Sequence, residues 1–486
     1  VQTLSQLSPQ PLWQLFEKIC SIPHPSHHEE ALAQYIVSWA QEQDLFVERD
    51  KVGNILIRKP ATHGMENLQP IVLQAHLDMV PQKNDDTQHD FAKDPIQAYV
   101  DNGWVKARGT TLGADNGIGM ASALAVLADH SVVHGPLEVL LTMTEETGMD
   151  GAFGLQPNWL QAEILINTDS ETEGEIYMGC AGGVDAVTSL PLDREPLPSG
   201  YQLVQINLKG LKGGHSGADI HLGLGNANKL LARFLFSQWR NLGLRLISFN
   251  GGTLRNAIPR EASAILAVGE DKFAELQNVC DAYLRTLNAE LTAVETNLSF
   301  TVKTADCTQN PLTDASQSKV IALLNAMPNG VIRMSDAVEG VVETSLNVGV
   351  VTTEQDRLNV VCLIRSLTDS GKDYVAEMLG SLSELAGADF KAEGGYPGWQ
   401  PNPASPIMHI VNDTYHKLFD AMPKVMVIHA GLECGLFKKP YPEMDMVSLG
   451  PTIRGPHSPD EKVNIASVGR YWQLLTALLK AIPPRR

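Results

Sequence analysis

A chain of 486 residues exceeds what one hydrophobic core usually serves, so two domains are expected. With 43% hydrophobic and 19% charged residues it reads as a soluble globular protein; no apolar run nears the ~18 residues that span a bilayer, and a net charge of −19 opposes nucleic-acid binding. Six widely spaced cysteines with no C-x-x-C pair argue against a disulfide framework or a thiolate zinc site, and the opening residues lack the pattern of a secretory signal, so the cytoplasm is the expected compartment.

In chain order, helices are predicted over Pro11 to Ser21 and Glu29 to Gln43, then a strand at Gly53 to Arg58. Ser26 with Glu29 three residues on reads as a capping box, and His24, His27 and His28 as surface histidines at a helix start. A strand at Ile71 to Ala75, a helix from Asp115 to Asp129, and strands at Leu137 to Thr142 and Ile164 to Asn167 follow. Short apolar strands alternating with helices signal a sheet covered on both faces, so the first domain is α/β.

After Gly182 the texture changes. Half-exposed strands (Gln202 to Lys209, Ala262 to Val268) mix with helices (Asn226 to Trp239, Lys272 to Leu291). A similar order recurs with helices at Ser316 to Asn325 and Lys372 to Leu385 and strands at Thr344 to Val351 and Leu358 to Ser366. This suggests two α/β sandwiches in tandem, without a convincing sequence repeat. Past the loop GGYPGWQPNPASP the apolar pattern returns, with buried strands at Val425 to Ile428 and Met446 to Leu449 and a closing helix at Ile465 to Ile482. The simplest account is one α/β domain, 1–188 and 397–486, interrupted by an inserted domain, 189–396.

Five motifs carry metal-compatible side chains, and four lie at or just beyond the C-terminal end of an apolar strand, where open α/β sheets bind ligands. QAHLDMV offers His76 as a ligand and Asp78 to orient it, since a metal-bound imidazole needs its other nitrogen held. TLGADNGIGMA presents Asp115 near a helix start, either as a cap or as a carboxylate bridging two cations. TEETG carries Glu145 and Glu146, INTDSE carries Asp169, and GPHSPDE carries His457 between prolines. Two Zn²⁺ ions bring four positive charges; Asp115, Glu146, Asp169 and a bridging hydroxide balance them. Three protein ligands per metal leave room for solvent, as catalysis needs, and Glu145 remains as a general base. His and carboxylate ligands equally accept Mn²⁺ or Co²⁺.

These five motifs in this order resemble the di-zinc peptidases of the carnosinase, aminoacylase and carboxypeptidase G family, and the resemblance spans the chain, including LKGGHSG and NGGTLRNAIPREA. It implies a three-layer catalytic domain with a mixed sheet and an inserted α+β lid, here a doubled sandwich. It implies His76, Asp115 and Asp169 on one zinc, Asp115, Glu146 and His457 on the other, Asp78 as orienting acid and Glu145 as base. In the lid it implies that His215 contacts the scissile carbonyl and that Asn256 and Arg365 hold the substrate carboxylate. A guanidinium suits that task through paired hydrogen bonds, the alternative being a surface salt bridge. Glu433 in GLECG is a candidate for the substrate amine.

The long lid, with GLECGLF and YPEMDMVSLGPTIRGPHSPDE, resembles most those members that cleave Xaa-His dipeptides such as carnosine-like substrates, and the histidine preference rests on that resemblance alone. The expected activity is therefore metal-dependent hydrolysis of small dipeptides with free ends, with no nucleic-acid or membrane partner. A deacylase of N-acyl amino acids and an inactive scaffold are the alternatives. Related enzymes pair through the lid, so a homodimer is expected, although a doubled lid can fill that role within one chain.

Overall fold

The computed structural model describes residues 3–84 and 86–485. The chain divides into two compact units: Val1–Gly179 with Pro401–Val427 and Leu432–Arg486, and Cys180–Gln400 with Ile428–Gly431. The division expected at 188/189 would cut the strand Gly182–Pro191, which pairs along its length within the second unit.

The first unit is a three-layer α/β fold on an eight-stranded mixed sheet. Its strands lie in the order Phe46–Arg49, Ile55–Lys59, Leu137–Thr142, Ile71–His76, Ile164–Asn167, Asp445–Ser448, Glu175–Cys180 and Lys424–Ile428. Four neighbours, from Leu137–Thr142 to Asp445–Ser448, run parallel, and antiparallel strands flank them. Leu137–Thr142, Ile71–His76 and Ile164–Asn167 are buried at every residue, as strands covered on both faces must be. Lys424–Ile428, expected as a buried strand, is an edge strand in which only Val427 is buried.

The helix Gln10–Cys20 packs on Ala114–Ala128, and glycine is required at the crossing: a Cβ on Gly117 would come within 2.9 Å of the Phe16 ring. Glu138 ties the sheet to a loop, one oxygen accepting Gln161 N and Ala162 N (2.8 and 2.7 Å) and the other Arg58 Nε (3.0 Å). A separate four-stranded sheet, Ile453–Arg454, Lys462–Asn464, Trp104–Ala107 and Ala98–Asp101, holds the loop that carries His457. Among the described residues no helix is long and apolar enough to cross a membrane.

In the second unit the two expected sandwiches share one nine-stranded sheet. One half orders Ser299–Thr304, Tyr201–Lys209, Ala262–Gly269 and Arg245–Gly251; the other, Val342–Thr353, Arg357–Ser366, Gly182–Pro191 and Asp389–Tyr396. They join through Gly251 and Val351, and Gly330–Met334 pairs beside Val342–Thr353. The Lys229 ammonium reaches across the halves, donating to the carbonyls of Leu324, Asn325 and Met327 at the end of the helix Asp314–Ala326. One apolar cluster, including Phe234, Phe249, Phe300, Leu346 and Val360, runs through both. Buried Glu295 accepts Lys212 N and Gly225 N (2.9 and 3.0 Å), bracketing the loop that bears His215.

Candidate functional site

In the first unit the five motifs converge at the C-terminal edge of the parallel strands. His76 ends its strand and is fully buried; its Nε2 lies 3.2 Å from Asp115 Oδ1, 3.4 Å from Asp169 Oδ1, 3.7 Å from Glu145 Oε2 and 4.0 Å from Glu146 Oε1. His457, left-handed at φ 62°, brings its Nε2 to 3.1 Å from Asp115 Oδ2 and 3.0 Å from the Glu146 carboxylate. Asp115 thus turns one oxygen to each imidazole. It does not cap its helix: Gly113 stands at the N-cap, and Asp115 and Asn116 depart from helical geometry.

These spacings suit metal ions. Donors held about 2.0–2.1 Å from a tetrahedral zinc lie about 3.3 Å from one another. Donor atoms of His76, Glu145 and Asp169, and likewise of His76, Asp115 and Glu146, fall within 4.8 Å of one another. Without cations such a set is electrostatically costly. Burial, reinforced by neighbouring acids, drives the carboxyls of Glu145 and Asp169 well above the usual range. Burial lowers His76, but the surrounding Asp169, Glu145 and Asp115 outweigh it and hold the ring well above its ordinary value. The arrangement gathers negative charge that divalent cations neutralise.

Around the donors stands a layer of hydrogen bonds. Asp78 Oδ1 lies 3.2 Å from His76 Nδ1, and its carboxylate accepts Glu145 N (2.9 Å), Glu146 N (3.1 Å) and Ser26 Oγ (2.6 Å). Burial would raise this carboxyl, yet the His76 ring and the Ser26 hydroxyl hold it at about 2. Asn116 accepts His76 N (3.0 Å) and donates to Thr168 O (2.8 Å), tying two strand ends together. Buried Glu461 accepts Leu112 N (2.8 Å), Gly113 N (2.9 Å) and Asp115 N (3.0 Å). The sequence reading missed both; their only signal was adjacency, Asn116 to Asp115 and Glu461 four residues past His457.

The capping-box reading of Ser26 and Glu29 does not hold. The helix begins at Glu30 without a side-chain cap, Ser26 turns to Asp78, and Glu29 accepts Thr144 N at 2.9 Å. Of the three histidines, His27 and His28 are exposed, but His24 is buried with Nδ1 2.6 Å from Ile22 O. The same residue types serve a helix cap or a tertiary anchor, and burial decides which. Glu433, at the start of the helix Glu433–Phe437, is buried; its Oε2 accepts Gln74 Nε2 at 2.7 Å and its Oε1 has no hydrogen-bond partner among the described residues.

In the second unit His215 lies on a two-residue strand paired with Ala257–Ile258. Its Nδ1 accepts Gly217 N and Ala218 N, both at 3.0 Å. Burial, with the Arg365 charge, lowers its pKa, so the ring is neutral and carries its proton on Nε2, a donor suited to a carbonyl oxygen. Arg365 is 4% exposed and is no surface salt bridge. Its hydrogen bonds among the described residues go to neutral groups, Ser216 Oγ (3.2 Å) and Tyr396 Oη (3.2 Å), leaving a buried cation whose fork suits a carboxylate. His429, bonded to Ser345 Oγ at 2.7 Å, also belongs to this cluster and was not anticipated. Asn256 is exposed, and its carbonyl accepts Ser216 N (2.9 Å).

A mixed α/β sheet beside whose parallel strand ends two imidazoles and four carboxylates gather has the donor set of a metal-dependent hydrolase. The chain belongs to the peptidase family M20/M25/M40, whose model matches residues 72–481. It is 68% identical over 482 residues to the cytosol non-specific dipeptidase of Escherichia coli, covering 99% of each chain. The crystal structure of an aminoacylhistidine dipeptidase from Vibrio alginolyticus superposes with a TM-score of 0.93 at 58% identity, covering 100% of this chain and 99% of that one. A tripeptidase from Staphylococcus aureus, 14% identical, shares the fold at a TM-score of 0.61 over 98% and 99% of the two chains.

Proposed function

We propose that this protein is a cytosolic, metal-dependent dipeptidase that cleaves dipeptides with free amino and carboxyl ends, Xaa-His dipeptides among them. The observation that carries the reading is Asp115, with one carboxylate oxygen beside each of two imidazoles and a further acid beside each pair. Relatives named as a cytosol non-specific dipeptidase and an aminoacylhistidine dipeptidase support the substrate class.

His76, Asp115 and Asp169 are proposed to hold one cation and Asp115, Glu146 and His457 the other, Zn²⁺ in the first instance with Mn²⁺ or Co²⁺ as substitutes. Such a pair supplies an acidified water and polarises the scissile carbonyl. Asp78 fixes the His76 ring. Glu145 takes the proton from the attacking water and returns it to the leaving amine. The second unit is proposed as the lid: His215 donates its Nε2 proton to the carbonyl oxygen, and Arg365 and Asn256 bind the terminal carboxylate. Glu433 is proposed to receive the free ammonium. Pairing of two chains through the lid rests on the family resemblance, and sedimentation of the purified protein measures it.

The test is a hydrolysis panel with added Zn²⁺, Mn²⁺ or Co²⁺: a free Xaa-His dipeptide, an unrelated free dipeptide, the N-acetyl and amide forms, and a tripeptide. Free dipeptides should be cleaved and blocked forms refused. Preference for the N-acetyl form would make the protein a deacylase instead.

A further inference from the structure

We infer that the segment His24–Glu29 is a positioning clamp for the turn carrying Glu145 and Glu146. The inference rests on the dipeptidase reading only for its kinetic consequence. The turn is short: Glu145–Thr147 form one helical turn, entered through Thr144 at φ 48° and left through Gly148 at φ 134°. The first N–H groups of any helix lack internal partners, so a turn of three residues cannot hold its own backbone.

Every backbone N–H from Thr144 to Glu146 ends on a carboxylate that the segment supplies or orients. Glu29 Oε1 accepts Thr144 N at 2.9 Å. Asp78 accepts Glu145 N and Glu146 N, while Ser26 Oγ donates to the same carboxylate at 2.6 Å and fixes its plane. At the exit, His27 Nε2 lies 2.9 Å from Thr147 Oγ1. The segment is itself anchored to the residues after His76, with Ser26 N donating to Met79 O (3.2 Å) and Met79 N to His24 O (3.1 Å).

Ser26 and Glu29 are buried, and the clamp precedes the family-matched residues, which start at 72. Glu29 holds the entry to the turn at Thr144 N, and Ser26 holds Asp78, whose carboxylate grips the main chain of the metal-compatible acid and the proton carrier. Ser26 and Glu29 are therefore positioning residues.

The experiment compares Glu29→Ala, Glu29→Gln, Ser26→Ala and Ser26→Thr with wild type, with exposed His28→Ala as control. Three quantities are read: amide exchange of residues 143–149, bound metal, and kcat and KM for a free dipeptide. Losing a hydrogen bond to a charged group should speed exchange of the turn amides by about 10-fold to 100-fold in the two alanine variants. Misplacement of the reacting groups should lower kcat by a similar factor while KM and metal content stay near wild type.

Gln at 29 keeps an acceptor and Thr at 26 keeps a hydroxyl, so both should restore the two readouts. Unchanged exchange, loss confined to KM, or failure of the conservative variants to rescue would overturn the clamp. If Glu29→Ala does not fold, Ser26→Ala, which removes one hydroxyl, decides the matter. A wild type that ignores dipeptides sinks the proposed function, while the exchange data still judge the clamp.

Discussion

Replacing Glu461 by glutamine should separate support of the metal centre from support of the fold. The two oxygens of Glu461 divide their work: Oε1 accepts Leu112 N and Gly113 N, and Oε2 accepts Asp115 N. An amide has one acceptor oxygen. With it kept on Leu112 and Gly113, the NH₂ group faces Asp115 N, donor against donor; the opposite flip strands two N–H groups. Leaving one buried donor without an acceptor costs about 1–3 kcal/mol, so the melting temperature should fall by several degrees. Asp115 places an oxygen beside both His76 and His457, so releasing its main chain loosens both donor sets at once. Changes to such supporting hydrogen bonds typically lower metal affinity by about 10-fold to 100-fold. The assay is competition for Zn²⁺ against a chromophoric chelator, with thermal melts in the presence and absence of metal. A variant that melts lower yet binds Zn²⁺ as tightly as wild type would refute the reasoning and reduce Glu461 to a structural staple.

The adjacent glutamates should fail in different ways. Glu145→Ala is expected to keep its metal, measured by elemental analysis, and lose most turnover, whereas Glu146→Ala should lose metal and recover partly with excess Zn²⁺. Arg365→Ala should lower kcat/KM for free dipeptides by the equivalent of about 2–5 kcal/mol, with little change for dipeptide amides, so the ratio of the two substrates reports the role. Burial, with the charge of Arg365, holds His429 down at about 3. An unfolded chain takes up this proton near pH 6.5, so stability should decline as pH falls below about 6.5 toward about 3. His429→Gln should flatten that slope in urea midpoints; an unchanged slope would remove His429 as its source.

The parallel strands and donor motifs were legible because both leave local marks. A strand covered on both faces is mostly apolar, as in Ile71–His76, and its donor residues follow at its end or within the next four positions. Interactions between distant residues left none: Glu461 meets Asp115 across 346 positions, and Ser26 meets Asp78 across 52. Ser26 and Glu29 were misread because spacing alone cannot tell a helix cap from a buried anchor. For Arg365 the sequence favoured a carboxylate-binding role but left a surface salt bridge open, because half-exposed strands alternate; the fold buries it among neutral partners. The two halves of the second unit were visible as separate sandwiches, while their fusion through Gly251 and Val351 depends on pairing between strands about a hundred residues apart.

Glu29, Glu138, Glu295 and Glu461 share a habit: each grips loop backbone through N–H groups. A grip on the main chain is blind to the side chain above it. Exposed Gln161 and Lys212, whose N–H groups are held in this way, are free to become almost any residue except proline. Such loops can drift in sequence while keeping their shape, so new substrate preferences can arise on their surfaces without first being traded against foldability. Saturation mutagenesis would reveal this as permissive loop positions, each answered by a distant glutamate that tolerates only residues keeping the acceptors it uses.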